Sequence, residues 1–323
     1  MRAGRRRAIA LLTLSALGWP QIARAQDNWP ARPVRVIVPS SPGGGTDVFG
    51  RILAQALSEQ TKQAFVVDNK PGASGNIGAD LVAKSEPDGY TILVASNSSL
   101  GINPVLLKTM PFDPDRDLAA VSRGVMAPMV LVALPATGWK SFADLVEAGR
   151  KAPGKFFYGS AGVGSPPYIG VRMLEDATGA RFTHVPYKGV APAYQDLLAG
   201  HLQFMYTDLA TIDPYIRSGK VLPLAVNEKT PLLPGVPTFA DAGFDVRAWT
   251  SFSVMVPGRT PAAIVRKLSE EVQKALRNPA VVKRLEQQAL IPVHDSPEAF
   301  AAELRKEREH WGAFIRKNGI QPE

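Results

Sequence analysis

Two segments of this chain combine glycine with hydroxyl residues in a setting where backbone N–H groups could bind an anion. The first segment, Pro39 to Asp47, reads PSSPGGGTD and follows the β-branched run Val34–Val38. Apolar residues at helical spacing come next, from Val48 to Leu57, so the pattern predicts a strand, a tight turn and the start of a helix. The first N–H groups of a helix have no partner inside it, and the helix dipole adds positive potential there. We therefore expect a small anion at this turn.

The second segment repeats this arrangement in the other half of the chain. Phe156–Tyr158 leads into Gly159–Pro167, which reads GSAGVGSPP, and apolar residues at helical spacing follow from Ile169 to Ala177. If the two turns lie on separate lobes and face each other, they could hold a ligand with a carboxylate end in the cleft between them.

The residues missing from the first turn narrow the choice of anion. A phosphate-binding P-loop carries Lys and then Ser or Thr after its glycines, whereas Thr46 and Asp47 follow here. A dinucleotide site needs G-x-G-x-x-G, but the next glycine after Gly45 is Gly50. A carboxylate needs only two or three N–H donors and no cationic side chain. The alternative is a plain tight turn in which Thr46 or Asp47 caps the helix.

Polar side chains at the ends of two later predicted strands are further candidates. Ser96 and Asn97 follow the strand Tyr90–Ala95, and Asp208 follows the strand Leu202–Tyr206. Open α/β sheets bind ligands beyond the carboxyl ends of their strands. Asp208 could bind a ligand amine there, or it could cap the helix that starts near Ala210. Ser96 and Asn97 could equally belong to an ordinary loop.

Other kinds of chemistry find little support in the sequence. The chain has no cysteine, which excludes disulfides, thiolate metal ligands and cysteine nucleophiles. A serine hydrolase that uses Ser41 or Ser165 stays as an alternative, but neither serine lies in G-x-S-x-G or S-x-x-K. The four histidines form no H-E-x-x-H motif, and no metal or other cofactor is expected.

The first residues, 1–25, are typical of a secretory signal. Arginines precede an apolar run, and Ala23-Arg24-Ala25 resembles a cleavage site, so we expect an exported, periplasmic protein. The whole chain has a net charge of +8, but without the five arginines of this segment 32 basic residues face 29 acidic ones, which leaves +3. This modest charge, without a cluster of basic residues, argues against a nucleic-acid partner and suits a receptor for small anions.

The rest of the chain alternates predicted strands and helices, which is typical of an α/β fold. Met129–Leu134 is expected to cross from one lobe to the other and Phe252–Val256 to return. Three amphipathic helices close the chain after Thr260, and Ser141 with Asp144 predicts a capping box at an earlier helix. The prediction is a two-lobed fold like that of type II periplasmic binding proteins, in which each lobe is a mixed, mostly parallel sheet flanked by helices. The lobes comprise residues 26–127 plus 251–323 and residues 128–250, with the cleft between them.

Several motifs, in the same order along the mature chain, resemble the Bug-type receptors of tripartite tricarboxylate transporters. Besides Arg32–Pro39 and Gly43–Asp47, these are Asn69–Ala73, Gly75–Gly78, Pro87–Tyr90, His184–Gly189, Leu198–Gly200 and Leu233–Thr238. The resemblance implies a periplasmic receptor that closes on a small organic acid, with backbone amides of both glycine loops and ordered water at the ligand carboxylate. The chain departs from the usual family pattern at Ser40 and Ser41, which leaves the identity of the acid open.

The resemblance also implies a role and partners. The receptor delivers its acid to the permease subunits of a tripartite tricarboxylate-type transporter, acts as a monomer and is no enzyme. A sensor that passes its closed state to a membrane kinase would use the same cleft and stays as an alternative. The candidate ligand-binding residues are Ser41, Gly43, Gly44, Gly45, Thr46, Asp47, Ser96, Asn97, Ser160, Ala161, Gly162, Gly164, Ser165 and Asp208.

Overall fold

The computed structural model describes residues 29–246 and 248–321. The proposed export signal, residues 1–25, lies outside the described residues. The strands form two separate sheets. The first sheet has the order β11-β4-β10-β3-β1-β2 and the second has the order β7-β6-β8-β5-β9.

The strands of the first sheet come from both ends of the chain. They are β1 (Val34–Val38), β2 (Phe65–Asn69), β3 (Thr91–Ser96), β4 (Leu118–Ala127), β10 (Thr250–Pro257) and β11 (Ile291–Pro292). The strands of the second sheet are β5 (Met129–Ala133), β6 (Phe157–Ser160), β7 (Thr183–Pro186), β8 (Phe204–Asp208) and β9 (Leu222–Val226).

Helices flank both sheets. They are α1 (Gly45–Thr61), α2 (Asn76–Ala83), α3 (Asn103–Leu106), α4 (Phe142–Lys151), α5 (Pro166–Thr178), α6 (Val190–Leu198), α7 (Leu209–Arg217), α8 (Ala262–Arg277), α9 (Pro279–Gln287) and α10 (Pro297–Lys317). The predicted two-lobed α/β fold with mixed sheets is confirmed. The expectation that the sheets are mostly parallel is wrong, because five of the nine strand pairs among the described residues are antiparallel. β1 pairs in parallel with β2 and β3, and β6 pairs in parallel with β7 and β8, while β4, β5 and β10 pair antiparallel with their neighbours.

Local sequence explains several of these elements. The capping box predicted before α4 is confirmed, because the Asp144 N–H donates to Ser141 Oγ at 3.2 Å and the Ser141 N–H donates back to the Asp144 carboxylate at 3.0 Å. All five residues of β5 are buried, as expected for a strand that is covered on both faces and lacks alternation. The apolar stripe of α8 is also buried as predicted, from Ile264 to Leu276.

The chain passes between the sheets at two short connections. β4 ends at Ala127 in the first sheet and β5 begins at Met129 in the second, so the outward crossing lies at Pro128. The expectation that Met129–Leu134 itself crosses is wrong, because Met129 to Ala133 pair with β8 and β9 of the second sheet. The expectation that Phe252–Val256 makes the return crossing is also wrong, because the whole of β10 pairs within the first sheet and the chain returns before Thr250.

Helix α10 packs against both lobes. Near its start, Phe300 and Leu304 join an apolar cluster with Ile37 and Leu93 of the first sheet. Near its end, Trp311 and other apolar residues join a cluster that contains β5, β6 and β8 side chains. Among the described residues, no helix is both long and apolar enough to cross a membrane.

A buried carboxyl group lies where α10 meets the return crossing. Glu307 is 3% exposed, and the indole N–H of Trp249 donates to its Oε1 at 3.2 Å. The Asn97 amide donates to the Trp249 carbonyl oxygen at 3.3 Å, while Glu307 Oε2 and Asn97 Oδ1 have no partner within the described part of the chain. Burial raises the pKa of Glu307 to about 7 from 4.5, although Trp249, Arg123 and Asn97 lower it in part.

We expect Glu307→Gln to stabilise the protein at alkaline pH. A carboxyl pKa raised by folding lowers stability as the pH rises from about 4.5 to about 7, and the deficit persists above that range. The amide would keep an acceptor for Trp249 and add a donor for Asn97. Urea unfolding should show a gain on the order of 2 to 3 kcal/mol at pH 8 and little gain at pH 4.5. A gain that does not change with pH would contradict this interpretation, and Glu59→Gln on the exposed face of α1 serves as the control.

Candidate functional site

A cavity of about 70 Å³ lies between the two sheets, at the carboxyl ends of β3 and β8. Contacts between the lobes surround it. Ser41 Oγ donates to the Lys188 carbonyl oxygen at 3.0 Å, and Ser74 Oγ donates to the Ala161 carbonyl oxygen at 3.1 Å. Loop residues of the two lobes are therefore in contact beside this cavity.

Five helices begin at this cavity. The residues that precede their first turns all line it, and they are Gly44 of α1, Gly75 of α2, Ser165 of α5, Gly189 of α6 and Asp208 of α7. Each helix start adds about half a unit of positive charge, and the first N–H groups that have no partner can donate to a ligand. The α7 start is an exception, because the Leu209 N–H donates to the Pro128 carbonyl oxygen at 2.8 Å. The arrangement favours an anion even before any cationic side chain is counted.

The first glycine loop presents the donors of α1. Val48 makes the first helical hydrogen bond, to the Gly44 carbonyl oxygen at 3.0 Å, so the N–H groups of Gly45, Thr46 and Asp47 come before it. Gly43 has φ +83°, a conformation that glycine adopts without steric cost.

The Asp47 side chain supports this loop from within. Its carboxylate accepts hydrogen bonds from the Gly43 N–H at 3.0 Å, Asn69 Nδ2 at 2.9 Å and Arg51 Nε at 2.9 Å. Burial would raise the pKa of Asp47, but these three bonds outweigh it and hold the pKa below 3.8. The charged form of Asp47 therefore fixes the loop, and its side chain does not line the cavity.

Gly45 leaves no room for a side chain. A Cβ atom at this position would lie 2.7 Å from the Phe252 ring and 2.8 Å from Asp208 Oδ1. Glycine therefore lets the α1 backbone approach the floor of the cavity, where a ligand would accept its hydrogen bonds.

The second glycine loop has fewer donors than its sequence suggests. The Gly162 N–H donates to Ser160 Oγ at 3.0 Å, and the Ser165 N–H donates to the Gly162 carbonyl oxygen at 3.0 Å. The first two residues of α5 are Pro166 and Pro167, which have no N–H. The start of α6, at Gly189 and Val190, lies at the same cavity and adds backbone to this side of the site.

Asp208 is the acidic side chain of the cavity lining, and Lys188 is the basic one. Asp208 is 5% exposed and accepts a hydrogen bond from Thr211 Oγ1 at 3.1 Å. Burial raises the pKa of Asp208 to about 6 from 3.8, although the Thr211 hydrogen bond lowers it in part. The carboxyl group is therefore partly protonated in mildly acidic conditions.

The structure brings half of the candidate residues to the cavity. Those that line it are Gly44, Gly45, Thr46, Ser96, Ala161, Ser165 and Asp208. The others lie just outside the lining. Ser41 forms a hydrogen bond between the lobes, and the Asn97 amide donates to the Trp249 carbonyl oxygen at the return crossing. Gly43 and Asp47 bond to each other within the first loop, and Ser160 bonds to Gly162 within the second. Gly162 and Gly164 line a neighbouring cavity.

Several lining residues were not among the candidates from the sequence, and these include Ser74, Gly75, Gly189, Val190 and Phe252. The first four lie in loops that run from a strand through glycine into a helix, the same pattern that identified the two glycine loops. That pattern could have found them. Phe252 lies inside β10 and carries no such signal.

The hydroxyl groups proposed for a hydrolase donate to backbone carbonyl groups. Ser41 Oγ donates to Lys188, and Ser165 Oγ donates to Gly162 at 2.6 Å. Ser160 Oγ lies 2.6 Å from His184 Nε2, but Ser160 is fully buried and does not line the cavity. Within residues 29–246 and 248–321, no group of three His, Asp or Glu side chains could hold a metal ion.

Comparison with known proteins agrees with this geometry. Residues 49–320 match the family described as "Tripartite tricarboxylate transporter family receptor". The chain is 34% identical to Protein BugT of Bordetella pertussis over 91% of this chain and 92% of that protein.

Two solved structures share the fold. The periplasmic binding protein BugD has a TM-score of 0.87 and 30% identity, over 91% of this chain and 100% of that chain. Rpa4515 of R. palustris, solved with adipate, has a TM-score of 0.88 and 33% identity, over 91% of this chain and 100% of that chain.

Proposed function

The chain belongs to the tripartite tricarboxylate transporter receptor family, and from this we propose that it captures a small organic acid between its lobes and delivers it to a permease of that transporter class. The role of a solute-binding receptor for carboxylates follows from the family. We propose, in addition, that this chain delivers its ligand to the permease, which residues bind the ligand, and by which route the chain is exported.

The convergence of five helix starts on one cavity carries the proposal. Hydrogen bonds to a charged acceptor contribute about 1.5 to 3 kcal/mol each. Four or five of them could offset the costs of ordering the ligand and closing the lobes and leave about −8 kcal/mol, which corresponds to micromolar affinity.

We assign the candidate residues to two roles. Gly44, Gly45, Thr46 and Ala161 would present backbone groups to the ligand, with Ser96, Ser165 and Asp208 beside them. The remaining candidates would hold the loops and the closed contact between lobes, and these are Ser41, Gly43, Asp47, Asn97, Ser160, Gly162 and Gly164. The contacts and cavity lining described above support this division.

The moving units would be residues 26–127 plus 251–323 and residues 128–250. The change of sheet at Pro128 supports the first limit, and the return before Thr250 supports the second to within one residue, because Thr250 itself pairs with Ala127 in the first sheet. A ligand that contacts both units favours the closed arrangement because it binds that arrangement more tightly. We further propose that residues 1–25 direct export to the periplasm, where the chain acts as a monomer.

A thermal-shift panel of organic acids tests the proposal. At a ligand concentration of about 100 times Kd, binding adds about 2.7 kcal/mol to the folded state. For a chain of this size we expect Tm to rise by roughly 5 to 10 °C. The neutral diamide of each diacid is the matched control and should leave Tm unchanged. A broad panel of mono-, di- and tricarboxylates without any shift would rule out the receptor function.

A further inference from the structure

The cavity at the helix starts adjoins a second cavity at the contact between Ser74 and Ala161. The second cavity has a volume of about 370 Å³, and Ser74, Ala161 and Lys188 line both cavities. The Ser74 hydroxyl, 3.1 Å from the Ala161 carbonyl oxygen, lies at this boundary. We call the second space the side cavity and this hydrogen bond the partition.

The first cavity is too small for a long acid. A volume of about 70 Å³ corresponds to about two waters at the roughly 30 Å³ that each occupies in the liquid, which is enough for a carboxylate and little more. Any longer part of a ligand must leave this space, and the larger side cavity begins on the other side of the partition.

The loop that carries Ser74 is held in an uncommon backbone conformation. Gly72, Ala73, Ser74 and Gly75 all have positive φ, with +48° at Ala73 and +50° at Ser74. Residues other than glycine rarely adopt this conformation, and such positions concentrate at ligand sites. The opposite loop is fitted to it, because a Cβ atom at Gly162 would lie 2.6 Å from Ser74 Oγ.

The chemistry of the side cavity suits the far end of a diacid. The residues that line it include amide, aliphatic and basic types, which are Asn76, Asn103, Leu106, Leu107, Val163 and Lys188. Within the described ranges, no carboxylate forms an ion pair with the Lys188 ammonium group. An aliphatic stem with an anionic end would therefore find both apolar contact and a positive charge.

We propose that the side cavity binds the distal end of an elongated organic diacid whose first carboxylate lies at the helix starts, and that Ser74 is the gate residue between the two spaces. This inference rests on the proposed receptor function and adds that the ligand is a diacid with a long carbon chain.

Calorimetric titration with succinate and suberate, a short and a long diacid, tests the inference. Leu107→Trp would fill the side cavity, and we expect it to weaken suberate binding at least tenfold while succinate changes less than twofold. Val163→Phe, in the second glycine loop, should repeat this result, and melting curves check that both variants are folded, because Val163 is buried in an apolar cluster. Leu232→Trp, at another half-buried leucine, is the control and should change neither affinity.

Ser74→Ala tests the gate itself. Alanine keeps the backbone strain but removes the hydroxyl, so the ratio of suberate to succinate affinity should rise at least threefold. Equal effects on both acids, or no effect of the filling variants on suberate, would overturn the inference while the receptor function stands. If the unmodified protein binds succinate but not suberate, the inference is also wrong. Binding of no organic acid at all would instead reject the receptor function.

Discussion

Gly45→Ala should reduce affinity for the organic acid at least a hundredfold. The added methyl group would lie 2.7 Å from the Phe252 ring and 2.8 Å from Asp208 Oδ1, so the start of α1 must move away from the cavity floor. A shift of this kind removes or lengthens two charge-assisted hydrogen bonds, and at about 1.5 to 3 kcal/mol each their loss exceeds a hundredfold in Kd. Calorimetric titration of the two proteins measures the difference directly.

Gly44→Ala is the matched control for this experiment. Its methyl group would make ordinary contacts, 3.5 Å from the Ser41 carbonyl oxygen and 3.5 Å from Val190 Cγ2, and Gly44 already has φ −80°. We expect a change of less than fivefold in affinity. Overpacking at Gly45 should also lower the free energy of unfolding by about 1 to 3 kcal/mol, so both variants need melting curves. A folded Gly45→Ala protein with unchanged affinity would remove the α1 start from the binding site.

Affinity for a diacid should fall on the order of tenfold between pH 5.5 and pH 7.5, and Asp208→Asn should abolish this dependence. Asp208 has a pKa of about 6 in the folded protein and lies at the same cavity as the proposed ligand carboxylate. A second negative charge there raises the pKa of Asp208 further, so binding takes up a proton. Protonated Asp208 is present below about pH 6, and the affinity is lost as the pH rises above that value.

Titration calorimetry in buffers of different ionisation enthalpy would detect the proton uptake. Asp208→Asn should bind more tightly than the unmodified protein at pH 7.5 and equally at pH 5.5. Glu59→Gln removes one negative charge on the exposed face of α1 and should keep the pH dependence. The opposite result, weaker binding by Asp208→Asn at pH 7.5, would show that Asp208 pairs with a ligand ammonium group and that the ligand is an amino acid.

Local patterns predicted most of the elements that form the site. The first glycine loop, α1 and the capping box at Ser141 are specified by residues close together in sequence, and the structure has them where the pattern indicates. The strand β4 was not predicted, although it has ten residues and lies in the first sheet. β4 pairs with β10 through two register shifts, so buried and exposed residues do not alternate regularly along it. A strand without this alternation is not recognised from the hydrophobic pattern of its sequence.

The balance of donors between the two halves of the site could not be predicted from the sequence. The turn at Ser160–Ser165 resembles the first loop, but its amides bond within the turn and two prolines open α5. The α6 start comes to the cavity because β6, β7 and β8 lie side by side, which is a property of the sheet order and not of any local motif. The raised pKa of Asp208 has the same origin, because burial by distant elements causes it.

An anion-binding site that is formed by helix N-termini is a property of the fold, so it persists in any variant that keeps the fold. Most single substitutions change a side chain and leave the main-chain amides in place. Ligand specificity can therefore evolve through the side chains around the cavity while the backbone amides continue to bind the carboxylate. A receptor that relied on one arginine would lose its ligand with one codon change. For anyone converting this protein into a biosensor, libraries should therefore randomise positions such as Ser40, Ser74 and Val190 and leave the glycines untouched.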